Sequence, residues 1–151
     1  MEKQKKEGVG SLFFLIVLAV IITDQAAKFL ITRLLQASAS YTVIPRILKF
    51  TFIYNTGAGF GIFQGRNSIF IFVSLAIIGI ILFFIDRIVK KKWLAIPFSL
   101  ILGGAIGNLI DRIVRGYVVD FIDFSIWPAF NIADSAISIG AVILIFYTWK
   151  D

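Results

Sequence analysis

The fold class this sequence predicts is an integral membrane protein, mainly α, with four transmembrane helices and a small extracytoplasmic β-cradle. Three observations predict it. Of 151 residues, 59% are hydrophobic, where soluble domains average about 45–50%, and the mean hydropathy is +0.93. The apolar residues gather into four runs of about the 20 residues that a bilayer-crossing helix needs. The Lys and Arg residues behind the net charge of +6 sit beside those runs instead of forming a face, so no nucleic-acid partner is expected.

The first span runs from about Gly10 to Leu30 behind Lys3, Lys5 and Lys6. KQKK and FFLIVLAVII also have the character of a signal peptide's n- and h-regions, but the run continues into TDQAAKFLITRLL without an evident cleavage site. The stretch from Gln36 to Asn67 is too long for a helix hairpin. Its segment YTVIPRILKFTFIYNTGAGFGIF mixes β-branched and aromatic residues with some alternation, so it reads as β-structure at the outer surface, joined by residues between Val114 and Phe124. The second span covers about Ser68–Ile85 and the third about Trp93–Ile110, with Arg87, Lys90, Lys91 and Lys92 between them; the fourth covers about Ile132–Trp149. Basic flanks on one side put both termini in the cytoplasm, with Lys150 in agreement. The chain is read as one domain, residues 1–151.

This orientation carries polar groups from four regions to one depth. Asp24 lies about 21 Å along the first helix from Gly10 at 1.5 Å per residue, in the outer half of the bilayer. Asn108, Asp111 and Arg112 end the third span, Asn131 and Asp134 start the fourth, and Asn55, Asp120 and Asp123 lie on the outward connections. Ionisable residues at membrane depth are functional candidates by default. Each also has a plainer role. Asp24 and Lys28, and Asp111 and Arg115, are spaced to pair on a helix face; Asp86 reads as a solvated flank and Asp123 as a solvated loop acid. Arg112, one turn from Asn108, suits either substrate carbonyls or snorkelling to headgroups. Gly103 and Gly107 read as a close-packing face.

Histidine and cysteine are both absent, which removes the commonest general base and zinc ligand, thiolate sites and cysteine nucleophiles. No metal or other cofactor is expected. Two carboxylates sharing one proton remain as the economical hydrolytic device. One takes a proton from water while the other polarises the scissile carbonyl and protonates the leaving nitrogen. Asp134 is one candidate, and Asp120, Asp123 or Asp111 its partner. Asp120 is favoured narrowly over Asp123 because it follows a short β-like piece, Gly116-Tyr-Val-Val.

ITDQAAK at 22–28, YNTGAGFGIF at 54–63, GGAIGNLIDR at 103–112, VVDF at 118–121 and FNIADS at 130–135 occur in order over essentially the whole chain. This set resembles the bacterial signal peptidase II (lipoprotein signal peptidase) family. The resemblance implies a four-helix inner-membrane aspartyl protease with an outer β-cradle, a hydrolase of lipoprotein processing that cleaves prolipoprotein signal peptides before a diacylglyceryl-modified cysteine. It makes Asp120 and Asp134 the catalytic pair, and Asp24, Asn55, Asn108, Arg112 and Asn131 the residues that line the site and position substrate. Gly59 stands where the family usually has alanine, a departure that adds backbone freedom to its loop. The implied partners are the lipidated prolipoprotein and membrane lipids, with the enzyme a monomer. A small four-helix proton-coupled transporter is the rival reading, although transporters place their sites near the midplane. A scaffold without chemistry is a third, in which the aspartates are replaceable.

Overall fold

The computed structural model describes residues 2–35, 39–57 and 63–149; Gly59 and Lys150 lie outside the described residues. The elements in chain order are α1 (Glu2–Leu34), β1 (Ser40–Ile44), β2 (Leu48–Asn55), α2 (Asn67–Phe83), α3 (Ile85–Ile88), α4 (Lys92–Val114), β3 (Val118–Asp123) and α5 (Ile132–Trp149).

Helix α4 is the central member, packed against α1, α2 and α5. Its small residues make this possible. A Cβ on Gly103 would stand 2.8 Å from the Val20 side chain of α1, and one on Gly104 would stand 2.4 Å from the Ala133 carbonyl of α5. The helix surfaces therefore meet at backbone range, as small-residue seams in membranes allow. The outer faces stay apolar and exposed: Leu15 is 63% exposed and Phe146 67%. An aqueous surface would carry polar residues there; a lipid-facing surface has no reason to.

Among the described residues, three helices are long and apolar enough to cross a membrane: α1 from Gly8, α4 and α5. The expected second span instead forms two pieces. Apolar α2 has 17 residues, and the chain breaks at Phe84 before the four residues of α3. Helix α4 runs past the expected Ile110 to Val114, which brings Asp111 and Arg112 inside it. Asp111 is fully buried and paired with Arg115 one turn on, which supports that extra turn. Gly116, at φ +80°, then ends the helix in the left-handed conformation that glycine accepts most readily.

The expected β-structure is an antiparallel sheet in the order β1-β2-β3. Phe50 pairs with Ile122 and Ile53 with Asp120, so β2 carries one extra residue between those pairs, a bulge beside Asp120. Phe52, Val119 and Phe121 form the buried core under the sheet, against Ala27 and Ile31 of α1. That packing seats the sheet on the end of the bundle where α4 stops and α5 starts.

Candidate active site

Asp120 and Asp134 reach the site from different elements. On β3, Asp120 shares a face with Val118, which pairs with Asn55 on β2, so Asn55 and Asp120 are diagonal neighbours. Asn55 Nδ2 donates to Asp120 Oδ2 at 2.7 Å. Asp134 sits in the first turn of α5 behind Asn131, the residue preceding the helix. Asn131 Oδ1 accepts the Asp134 backbone N–H at 2.9 Å, and Asp134 Oδ2 accepts the Asn131 backbone N–H at 3.3 Å. These reciprocal bonds follow the capping-box pattern.

The two acids are joined through asparagines. Asn131 Nδ2 donates to Asp120 Oδ1 at 2.7 Å while the same residue caps Asp134. Asn108 Nδ2 donates to Asp134 Oδ1 at 2.7 Å, and its own Oδ1 accepts from Asn131 Nδ2 at 3.2 Å. Burial is the main force lifting the Asp120 carboxyl, to about 7, and the Asp134 charge adds to it. The Asn55 and Asn131 hydrogen bonds and the Lys28 charge oppose the shift. Asp120 is only 2% exposed.

Both acids border a cleft of about 620 Å³, with Asn55, Asn108 and Arg112 also on its wall. The remaining wall is largely apolar, including Phe70, Ile77, Trp127 and Ile139. The Arg112 guanidinium lies over the Phe70 ring, 5.1 Å from its centroid. Its protein hydrogen bonds are long, 3.4 Å to the Asn108 carbonyl and 3.5 Å to the Gly57 carbonyl, and its buried Nε has no protein partner. Arg112 therefore keeps donor capacity at the cleft.

Two residues expected to line the site stand behind its wall. Asp24 and Asn131 are fully buried and neither borders the cleft. The polar atoms of the Asn131 side chain are spent on Asp120, Asn108, Val119 and Asp134, so this residue holds the acids instead of meeting a ligand. Asp24 pairs with Lys28 at 2.7 Å and accepts the Ala133 backbone N–H at 2.9 Å. Asp111, the third candidate partner for Asp134, is fully buried, bound to Lys28 at 2.8 Å and paired with Arg115. Asp123 pairs with Lys49 at 3.2 Å and accepts the Ser125 N–H at 2.8 Å, on the far end of β3 from Val118.

Lys28 and Gln25 are the residues whose importance was missed. Lys28 is fully buried and donates to Asn108 as well as to Asp24 and Asp111. Its signal was present: a lysine one turn after a membrane-depth aspartate. Gln25 donates to the Gly107 carbonyl at 3.1 Å and to Asp111 at 3.2 Å; nothing in its local sequence marks it. Among the described residues, no cluster of three or more acids has the arrangement of a metal site.

The whole chain compares with known proteins as follows. The family model described as signal peptidase (SPase) II matches residues 16–150. The lipoprotein signal peptidase of Halothermothrix orenii is 42% identical over 91% of this chain and 94% of its own length. That of Staphylococcus carnosus is 40% identical over 93% and 92%. A solved structure described as a bacterial membrane enzyme superposes with a TM-score of 0.88 at 36% identity, covering 93% of this chain and 89% of that one. A match to the family model along nearly the full length, together with relatives well above 30% identity, shows that the chain belongs to the signal peptidase II family.

Proposed function

We propose that this chain is a membrane aspartyl endopeptidase that removes the signal peptide of prolipoproteins by cleaving before the diacylglyceryl-modified cysteine. One observation carries the reading: a single residue, Asn131, holds both Asp120 and Asp134 at the wall of a largely apolar cleft. Family membership supports the substrate class.

The pair holds one proton. The ionised member removes a proton from water, and the oxygen of that water attacks the scissile carbonyl carbon. The protonated member polarises the carbonyl, then gives its proton to the departing nitrogen as the C–N bond breaks. Burial favours retention of the shared proton because charge is disfavoured away from water. Asn55 and Asn108 fix the carboxylate oxygens, and Arg112 has donors for a substrate carbonyl. The apolar wall suits the hydrophobic signal helix and the acyl chains of the lipidated cysteine.

In this reading residues 1–151 form one domain that acts as a monomer in the cytoplasmic (inner) membrane. Helix α2, extended by α3, makes a fourth crossing beside α1, α4 and α5. Both termini are cytoplasmic and the cleft opens near the outer face, where lipid anchors hold the scissile bond. The lysines before the first span and between α2 and α4 support this orientation.

The test uses purified Asp120→Asn and Asp134→Asn proteins incubated with a lipidated prolipoprotein. Each is expected to stay folded and inserted but to release no signal peptide. Substantial cleavage by either variant rejects the assignment.

A further inference from the structure

Behind Asp120 and Asp134 lies a second pair of acids that the chemistry above does not use. Asp24 on α1 and Asp111 on α4 are fully buried, with the equally buried Lys28 between them. Lys28 Nζ lies 2.7 Å from Asp24 Oδ2, 2.8 Å from Asp111 Oδ2 and 3.0 Å from Asn108 Oδ1. Three acceptors meet the three protons of an ammonium group.

Three contacts of this group end beside a reacting acid, while Asp111 Oδ1 pairs outward with Arg115. Asp24 Oδ1 accepts the backbone N–H of Ala133, which immediately precedes Asp134, at 2.9 Å. Asp111 Oδ2 accepts the backbone N–H of Val119, which immediately precedes Asp120, at 3.2 Å. The bond from Lys28 to Asn108 Oδ1 fixes which way that amide points, leaving Nδ2 to donate to Asp134 at 2.7 Å. Gln25 bridges the two outer acids from above, at 3.2 Å to each. A Cβ on Gly107 would stand 2.9 Å from Asp24 Oδ2, so glycine leaves room for the carboxylate.

Buried ion pairs add little net stability over well-packed apolar residues, because desolvation offsets their attraction. A dry group of charges spanning α1 and α4 is therefore poorly explained by stability alone. Its geometry supplies the missing reason: it sets the position of two backbone amides and one side-chain amide, each adjoining a reacting carboxylate.

We propose that Lys28 is a positioning residue for the cleavage reaction, holding Asp24, Asp111 and Asn108 so that β3 and the start of α5 present Asp120 and Asp134 at a fixed separation. This rests on the reading of Asp120 and Asp134 as the reacting acids. The charged groups facing Lys28 are Asp24 on its own helix, Asp111 on α4 with Arg115 beyond it, Asp120 on β3 and Asp134 on α5.

The experiment compares Lys28→Met, Asp24→Asn, Asp120→Asn and Asp123→Asn in the full chain, in detergent with a lipidated prolipoprotein, measuring kcat, KM, the pH profile of kcat and the thermal transition. For folded Lys28→Met, kcat is expected to fall about 100-fold, the scale of an ångström-level misplacement of reacting groups. KM should stay within about threefold, and the profile should move to higher pH because a cation beside the acids is gone. Asp24→Asn should lose about tenfold in kcat, since Lys28 and Ala133 donate to opposite carboxylate oxygens and the amide nitrogen that replaces one of them cannot accept. Asp123→Asn should match the parent. If Lys28→Met does not fold, Asp24→Asn decides, with its tenfold loss in kcat and a profile moved to lower pH because an anion beside the acids is gone. A folded variant with kcat within about threefold of the parent, or a loss that only tracks the folded fraction with an unmoved pH profile, overturns the proposal. Activity in Asp120→Asn would instead reject the underlying reaction, so the two failures are distinct.

Discussion

Replacing Asp120 with asparagine should remove activity and, at neutral pH, make the protein more stable. The folded chain keeps the Asp120 proton up to about pH 7 instead of the ordinary 3.8, chiefly because of burial. Between those values the folded state binds a proton that the unfolded state has released, so stability falls as pH rises through that window. At about 1.4 kcal/mol per unit, the full deficit above pH 7 is roughly 4 kcal/mol, and at pH 5 it is about 1–2 kcal/mol. Asparagine has no such deficit. It carries its own cost, because Asn55 and Asn131 donate at 2.7 Å to different oxygens of Asp120, and the amide nitrogen that replaces one of them cannot accept. Leaving a buried donor unmet costs about 1–3 kcal/mol.

The second cost does not depend on pH; the first does. Asp120→Asn should therefore be neutral to slightly destabilising at pH 5 and stabilising by about 1–3 kcal/mol at pH 8. The swing between the two conditions, about 2–3 kcal/mol, is independent of the hydrogen-bond penalty. For a chain of this size it corresponds to roughly 5–10 °C in the difference between the two melting temperatures. Thermal unfolding of parent and variant, followed by tryptophan fluorescence in one detergent from pH 5 to pH 8, measures it. A difference in Tm that stays flat across that range refutes the account of Asp120 as a carboxyl held protonated by burial.

Four further outcomes follow from the same geometry. Cleavage by the parent should decline as pH rises past about 7, where Asp120 gives up its proton; a steady-state pH profile that keeps rising to pH 9 contradicts the shared-proton scheme. Asn108→Ala removes the 2.7 Å donor to Asp134 and the third partner of Lys28, and kcat should drop about 100-fold or more in a turnover assay. Gly104→Ala places a Cβ 2.4 Å from the Ala133 carbonyl, and should cost about 1–3 kcal/mol, read as a lowered melting temperature. Asp123→Asn breaks only a partly exposed pair with Lys49, so stability should change by less than about 1 kcal/mol and cleavage should be retained.

The helices and the sheet were readable because each rests on local pattern. Apolar runs mark α5 and the start of α4 within a residue or two, while α1 runs from Glu2 to Leu34, past the expected Gly10–Leu30 at both ends, and Tyr41 to Asn55 shows β-branched and aromatic residues around a Pro45-Arg46 turn. The end of α2 falls within two residues of the expected Ile85, where Asp86 and Arg87 close the apolar run; the short α3 that follows Phe84 was not readable, because hydropathy does not register a backbone that turns. For the site, the gathering of Asn55, Asn108, Arg112, Asp120 and Asp134 from separate regions around one cleft followed from the order of the spans. Which side of each helix the acids occupy did not, so Asp24 was placed on the cleft when packing turns it toward Lys28 and Ala133. Depth is a one-dimensional property of a span; orientation about the axis is set by partners far away in sequence, here 80 residues on at Asn108.

Asn131 shows how closely the helix start and the site are bound together. Its side chain caps α5 through the Asp134 backbone N–H and holds Asp120 across the strand–helix gap. A helix N-terminus in a low-dielectric setting has free N–H groups that must be met, and here the residues meeting them, Asn131, Asp134 and Asp24, belong to the candidate site and its support. Capping also explains how Asp134 can sit at the mouth of an apolar helix: one carboxylate oxygen closes the first turn while the other takes the Asn108 donor. In the proposed reaction, the groups that start the helix also define where the acid waits, so forming α5 correctly and aligning the pair are one event. A variant that frays the first turn of α5 should therefore lose turnover before it loses the fold.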